Sequence, residues 1–140
     1  MNWVDLYGLA GCPKHVRDFF KDLGRPLDDL AERLRVDPTA IKALSSYESG
    51  WYNAHNRALK NPFGLTKAGG RNLRFGSVEE AVNYFEQKIG PKISDARNID
   101  EFIEKLQTPP KYNSINPNYE KNLRDQYKTV QKYEGQCGCE

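Results

Sequence analysis

The sequence predicts a mainly α-helical fold in a single domain of residues 1–140, with a small irregular or β-hairpin insert after the third helix. Apolar residues recur at i, i+3, i+4 and i+7 in several separate segments, which is the period of an amphipathic helix. Capping residues and glycine or proline stops bound those segments. A chain of 140 residues, 38% hydrophobic and 29% charged, is long enough to fold around one modest core.

The first three helices are predicted from their caps and apolar faces. Pro13 suits the first position of a helix that Gly24 would end, and Pro26 is expected to begin the second. The dipeptide Asp37-Pro38 is a typical start for the third, which should run to about Ser49. The inward-facing positions are Val16, Phe19, Phe20 and Leu23 in the first helix, Leu27, Leu30, Ala31 and Leu34 in the second, and Ala40, Ile41 and Leu44 in the third.

The stretch from Gly50 to Gly76 has no clear helical period and is rich in turn residues. Residues 65–67 and 72–75 can pair as a small hairpin across Gly69-Gly70. Loops on a rigid scaffold often carry binding groups, so this insert is where we expect a cleft.

Helical patterning resumes after the insert. Ser77 and Glu80 form a capping box for a helix that should end at Gly90, and Asn98 caps a shorter helix before a proline pair. Asn116-Pro117 is expected to open the last helix. The inner faces are Val78, Ala81, Val82, Phe85 and Ile89, then Ile99, Phe102, Ile103 and Leu106, then Tyr119, Leu123, Tyr127 and Val130.

Charge and cysteine content exclude several classes of protein. The net charge of +2 is too small to predict a nucleic-acid partner, and no apolar run approaches the roughly 20 residues that stable membrane insertion needs. No metal-ligand spacing such as His-Glu-x-x-His occurs, so we expect no metal and no cofactor. Three cysteines leave two pairings open, Cys12 with Cys137 or Cys12 with Cys139.

Glu48 is the first candidate for chemistry. It follows Ile41 and Leu44 at i, i+3, i+7, so its carboxyl should point along the face that meets the core. Lost hydration would raise its pKa, and an acid that keeps its proton near neutral pH can protonate a leaving group. Tyr47 and Trp51 add aromatic faces that suit a pyranose ring. The alternative is an ordinary surface carboxylate at a frayed helix end.

Three ordered segments resemble a known family. Glu-Ser-Gly-Trp at 48–51, after a helix that begins at Asp37-Pro38, resembles the end of the catalytic helix in the lysozyme superfamily. Residues 61–66, Asn-Pro-Phe-Gly-Leu-Thr, resemble the Asn-x-Phe-Gly segment of bacterial endo-β-N-acetylglucosaminidases, which include flagellar and autolysin-type peptidoglycan hydrolases. Residues 112–119 resemble the later Tyr-Ala-Thr-Asp-x-x-Tyr stretch of that family. The likeness covers roughly residues 36–125.

The resemblance implies a lysozyme-like helical domain that cleaves peptidoglycan glycan strands. By position, Glu48 is implied to be the general acid, and Tyr112 to lie near the scissile bond and stabilise the developing positive charge. Tyr119 is implied to pack against that segment. Together with the aromatic neighbours of the acid, the implied substrate-binding residues are Tyr47, Trp51, Asn61, Phe63, Gly64 and Tyr119.

The sequence departs from this family at the second carboxylate. A two-carboxylate glycosidase needs a base or nucleophile besides its acid, yet no Asp or Glu lies between Glu48 and Glu79. One mechanism then uses the substrate's own N-acetyl group, with Glu48 as acid and later as base. Another is that of lytic transglycosylases, in which a muramic acid hydroxyl attacks and leaves an anhydro product. A non-catalytic peptidoglycan-binding module on the same fold is a third alternative.

The start of the chain bears on where such an enzyme would act. Met1 to Gly11 has no basic beginning and contains Asp5, so it does not resemble a signal peptide. We expect synthesis in the cytoplasm and action in the periplasm or cell wall after delivery by another route, such as a secretion system or phage lysis. If the chain is a secreted effector, an immunity protein is an expected partner.

Overall fold

A computed structural model describes residues 11–137, and this part of the chain is mainly helical. The helices are α1 (Lys14–Leu34), α2 (Pro38–Ser49), α3 (Ala54–Leu59), α4 (Val78–Lys88), α5 (Gly90–Ile93), α6 (Ile99–Gln107) and α7 (Tyr119–Cys137). The α2 helix packs against both α1 and α7, and α4 packs against α1. The mainly helical class predicted from the sequence is therefore confirmed.

The first two predicted helices form one continuous helix, α1, so the predicted stop at Gly24 is wrong. Pro26 lies inside this helix, where its missing N–H removes one backbone hydrogen bond. The helix continues because the apolar positions on both sides are in phase: Leu23 and Leu27 are four residues apart, and both are fully buried. Burial of this uninterrupted apolar face outweighs the local cost of Gly24 and Pro26, which is about 1 kcal/mol for the glycine and about 3 kcal/mol for the proline.

The third predicted helix is confirmed as α2. The Asp37 carboxylate accepts a hydrogen bond from the backbone N–H of Thr39 at 2.9 Å, and Pro38 occupies the first turn. The helix ends at Gly50, whose φ of +59° is the left-handed conformation that glycine adopts without strain. Most of α2 is buried, so this helix supplies a fixed base for the residues at its C-terminal end.

The insert after α2 contains a short helix that the sequence pattern did not predict. The Asn53 side chain accepts from the N–H of Asn56 at 3.0 Å and begins α3. The predicted hairpin forms only as a minimal one, with a single antiparallel bridge between Thr66 and Asn72. Its remaining backbone bond outside the turn joins Leu73 N–H to the Leu65 carbonyl at 2.8 Å.

The later helices begin close to where their caps predict. Ser77 Oγ accepts from Glu80 N–H at 3.1 Å, but the Glu80 carboxylate bonds to the N–H of Gly76, so only half of the capping box forms. The Asn98 side chain accepts from Glu101 N–H at 2.9 Å at the start of α6. The last helix starts at Tyr119, after a turn at residues 116–118.

A disulfide joins Cys12 to Cys137 and so connects the start of α1 to the end of α7. Both cysteines are buried. Of the two pairings left open by the sequence, this is the one observed, and Cys139 lies outside the described residues, as does nearly all of the segment assessed for a signal peptide. No helix in residues 11–137 combines the length and apolarity required to cross a membrane. The same residues contain no group of three or more metal-ligating side chains.

Candidate active site

Glu48 lies at the C-terminal end of α2, and its carboxyl group is half-buried. Its Oε2 accepts a hydrogen bond from the hydroxyl of Tyr119 at 2.5 Å. Its Oε1 makes no hydrogen bond within residues 11–137, and it is not among the enclosed polar atoms of that region, so it remains open to solvent. One carboxylate oxygen is therefore held and the other is free to meet a ligand.

Burial raises the pKa of Glu48, and the hydrogen bond from Tyr119 opposes that rise without cancelling it. A carboxylate that loses water loses solvation of its charged form, whereas a donated hydrogen bond stabilises that form. No carboxylate within residues 11–137 contributes to this shift. Among the described residues the site thus has one carboxyl group, with its pKa raised, which is consistent with the gap seen in the sequence.

Tyr119 is the direct partner of the acid. It begins α7, its side chain is only 1% exposed, and its ring packs edge-on against Tyr47 with centroids 5.6 Å apart. The sequence predicted a packing and substrate-binding residue, and the packing is observed. Direct substrate contact is not compatible with this burial, and its hydroxyl is already bonded to Glu48. Burial and the negative charge of Glu48 both raise the pKa of Tyr119, so this phenol stays a donor.

Tyr112 lies beside these two residues, in the loop before α7. Its backbone N–H donates to the Leu106 carbonyl at 3.0 Å, and its ring centroid is 6.4 Å from that of Tyr119. Burial raises the pKa of Tyr112, and the negative charge of Glu48 adds to that rise. The Tyr112 hydroxyl makes no hydrogen bond to another described residue and is not enclosed. Tyr112 therefore offers an unbonded hydroxyl on the ring that neighbours Tyr119, the hydrogen-bond partner of Glu48.

Tyr47 and Asn122 complete the polar cluster. Asn122 Nδ2 donates to the Tyr47 hydroxyl at 3.2 Å, which fixes the tyrosine that packs on Tyr119. Four residues further along α7, Gln126 donates to Ser46 Oγ at 2.8 Å. The sequence patterns do not single out Asn122 and Gln126, although their spacing from Tyr119 places all three residues on one face of a helix.

Three residues assigned to the cleft floor act as supports beneath the site. Asn61 is fully buried, and its side chain makes three bonds to the backbone of the hairpin: Nδ2 to the Leu65 and Leu73 carbonyls at 2.9 and 3.0 Å, and Oδ1 from Leu65 N–H at 2.9 Å. Phe63 is 1% exposed and stacks on Phe85 at 3.8 Å. Neither side chain can touch a glycan, so the substrate-binding prediction is wrong for both.

Gly64 explains why the hairpin approaches the acid so closely. Its φ is +56°, and a Cβ at this position would overlap the backbone carbonyl oxygen of Glu48. Only glycine permits this contact between the insert and the end of α2. Gly64 therefore fixes the hairpin against the acid, and its expected place at the cleft is compatible with the structure.

Trp51 belongs to a different part of the molecule from the one predicted. Its indole packs edge-on against Phe19 at 5.3 Å and against Tyr133 at 6.0 Å, in an aromatic cluster shared with α1 and α7. Trp51 itself has φ of +60°, so the chain turns sharply after Gly50 and carries the indole toward α1. The ring supports the core here, and the prediction that it flanks the carboxyl as a sugar-stacking face is not supported.

Four surface depressions in residues 11–137 are lined by residues other than Glu48. One of about 660 Å³ is lined by parts of α1, α2 and α7 and contains the buried ammonium of Lys42, which pairs with Asp28 at 2.7 Å and Glu134 at 3.0 Å. Three others, of about 290–550 Å³, are also lined without Glu48. None of these four depressions includes Glu48.

The arrangement defines a candidate acid–base site: one perturbed carboxyl group, one tyrosine bonded to it and one free tyrosine hydroxyl beside it. Such a set can donate a proton, accept it back and stabilise a nearby charge. Comparison with known proteins adds nothing to this geometry: no family model, curated protein or solved structure matches the chain.

Proposed function

We propose that this protein is a peptidoglycan glycosidase of the glucosaminidase or muramidase type, with a lysozyme-like fold and Glu48 as its general acid. The observation that supports the proposal most directly is the half-buried Glu48 carboxyl, with Oε2 bonded to Tyr119 and Oε1 free. Because burial raises its pKa, this group keeps a proton further toward neutral pH than an exposed glutamate does.

In the proposed reaction, Oε1 carries the proton and transfers it to the glycosidic oxygen as the C–O bond breaks. The electron pair of that bond goes to the leaving oxygen, and the sugar ring develops oxocarbenium character. The free hydroxyl of Tyr112 then presents its oxygen to this positive charge. Tyr119 stabilises the carboxylate that Glu48 has become, since it already donates to Oε2. Glu48 next accepts a proton from the attacking hydroxyl, either of the muramic acid or of a water molecule, and returns to its initial state.

The missing second carboxylate favours a nucleophile supplied by the substrate. Glu48 is the one carboxyl group at the site within residues 11–137, and the same carboxylate can deprotonate the muramic acid hydroxyl that attacks the anomeric carbon. That step gives an anhydro end, so a lytic transglycosylase is the second candidate. Assistance by the N-acetyl group of the substrate gives a hydrolysed, reducing end instead.

The cell wall or periplasm is the proposed site of action. A buried disulfide that connects both ends of the described chain suits an oxidising compartment better than the cytoplasm. If delivery is by a secretion system, an immunity protein remains a proposed partner.

Digestion of purified peptidoglycan with analysis of the products by mass spectrometry tests this function. We expect soluble muropeptides from the native protein, and none from Glu48→Gln, which keeps the shape of the side chain but not the acid. Glu104→Gln is the matched control, because this exposed glutamate makes no side-chain hydrogen bond or ion pair in the described region. Binding to peptidoglycan without any soluble product would favour the non-catalytic module. Native release by Glu48→Gln would refute the assignment.

A further inference from the structure

The charges of this protein are unevenly divided. Between Glu48 and Glu79 the chain has five basic residues and no acidic one, although the whole protein carries only +2. The rest of the chain is therefore net negative. The five basic residues of this insert are Arg57, Lys60, Lys67, Arg71 and Arg74. A local excess of this size creates a positive potential that the net charge of the protein conceals.

Two of these five side chains are unengaged. Arg57 forms an ion pair with Asp22 at 2.5 Å, whereas Lys60 Nζ donates to the Gly76 carbonyl at 3.2 Å and Arg74 Nη1 donates to the Ala58 carbonyl at 3.4 Å. In contrast, the side chains of Lys67 and Arg71 are exposed and make no hydrogen bond or ion pair with any described residue. They lie on either side of the Gly69-Gly70 turn, and we call residues 67–71 the basic tip.

The basic tip is held close to the candidate active site. Its two ends are joined by a hydrogen bond from Lys67 N–H to the Arg71 carbonyl at 2.9 Å, and Asn61 bonds to the backbone just below it. At the base, Gly64 abuts the carbonyl of Glu48. Lys67 is three residues from Gly64, so their Cα atoms are at most about 11 Å apart. A long cationic side chain here is within reach of a polymer bound at Glu48.

We propose that the basic tip binds the carboxylates of the peptides that peptidoglycan glycan strands carry. This inference rests on the proposed function, and it adds an ionic contact next to the site of cleavage. Two unengaged cationic side chains on a protein whose other residues are net negative suit a polymer with spaced carboxylates. Even the four insert cations without an ion pair are fewer than the about 6–10 phosphates that tight nucleic-acid binders neutralise. The contact is exposed and therefore screened by salt, since the Debye length is about 10 Å at 0.1 M.

Cosedimentation with purified peptidoglycan tests this proposal in a Glu48→Gln background, so that binding is measured without cleavage. The test variant adds Lys67→Gln and Arg71→Gln. The matched control adds Lys21→Gln and Lys128→Gln, which remove the same charge from exposed, unpaired lysines on α1 and α7. At low ionic strength we expect the test variant to bind about 25-fold more weakly, since each of the two cations near an anionic surface contributes roughly a factor of five. We expect the control to change less than twofold.

Two further arms identify the ligand chemistry. The difference between the two variants should disappear at 0.5 M salt (about 4 Å Debye length). It should also disappear on peptidoglycan whose carboxylates have been amidated. The proposal is overturned if both variants bind alike, if the difference survives amidation, or if duplex DNA is bound more tightly than peptidoglycan. Failure of the glycosidase proposal is seen separately, as a lack of muropeptide release by the native protein.

Discussion

Replacing Glu48 with Gln is expected to stabilise the protein at neutral pH and to leave its stability unchanged near pH 4. The amide is close in shape to the protonated acid, and its oxygen can accept the same hydrogen bond from Tyr119. The two proteins differ in stability because the native Glu48 gains and loses a proton with pH, whereas Gln does not. Burial raises the pKa of Glu48 in the folded protein above the value of 4.5 for a freely solvated glutamate, so the native state holds a proton that the unfolded chain has lost.

The sign and size of the effect follow from proton linkage. Stability falls as pH rises wherever the native state binds more protons than the unfolded state. The native protein therefore loses stability from about pH 4.5 up to the raised pKa, and each unit of that rise costs about 1.4 kcal/mol. The Gln variant has no such loss. For 140 residues, an unfolding entropy of about 0.3 kcal/mol/K converts each unit into a gain in Tm of about 5 °C.

Thermal unfolding followed by circular dichroism between pH 4 and pH 8 measures this difference. At pH 4 the Glu48→Gln variant and the native protein should have the same Tm. As pH rises, the Tm of the variant should exceed that of the native protein by a growing amount, which then becomes constant. Glu104→Gln, on an exposed face of α6, should follow the native protein across the range. A Tm difference that is the same at every pH would refute the desolvation argument. A Tm of the Gln variant that falls relative to that of the native protein as pH rises would also refute it.

Three further variants test the support of the site. Tyr119→Phe removes the hydrogen bond that lowers the pKa of Glu48, so the high-pH limb of the pH–activity profile should move to higher pH. Activity should fall about tenfold. A pH–activity profile that does not move would contradict this prediction. Asn61→Ala leaves buried backbone groups without hydrogen-bond partners and should lower the free energy of unfolding in urea by about 2–4 kcal/mol. A decrease below about 0.5 kcal/mol would show that Asn61 does not hold the hairpin in place. Reducing the disulfide should cost about 2–4 kcal/mol, and Cys12→Ser should abolish any response to reductant.

The helix caps show what local sequence can predict well. Asp37 and Asn98 each bond to a backbone N–H two or three residues away, so the partners are fixed by the chain itself. The helix break predicted at Gly24 is absent because long-range packing, rather than local hydrogen bonding, determines the structure there. Gly24 and Pro26 weaken a helix locally, but the apolar face of α1 contacts α2, α4 and α7, and burial of that face decides the outcome.

The acid was predictable and most of its surroundings were not. Glu48 was identified by its place on the inner face of α2, and its half-buried state and raised pKa agree with that prediction. Its partner Tyr119 is 71 residues further along the chain, where no periodicity connects the two. Trp51 shows that nearness in sequence is not nearness in space. It is three residues from Glu48, yet its indole packs against Phe19 rather than beside the carboxyl group.

The amino-acid sequence by itself determined the helical class, the caps and the position of one unusual carboxyl group. These depend on hydrogen bonds and periodicities that span a few residues. Only the tertiary structure decided that the Glu48 carboxyl is bonded to Tyr119, that Asn61 and Phe63 lie beneath the surface, and that Gly64 sets a basic hairpin against the acid. Those contacts join segments far apart in the chain, and packing of α2 with α7 and of the insert on α2 brings them together.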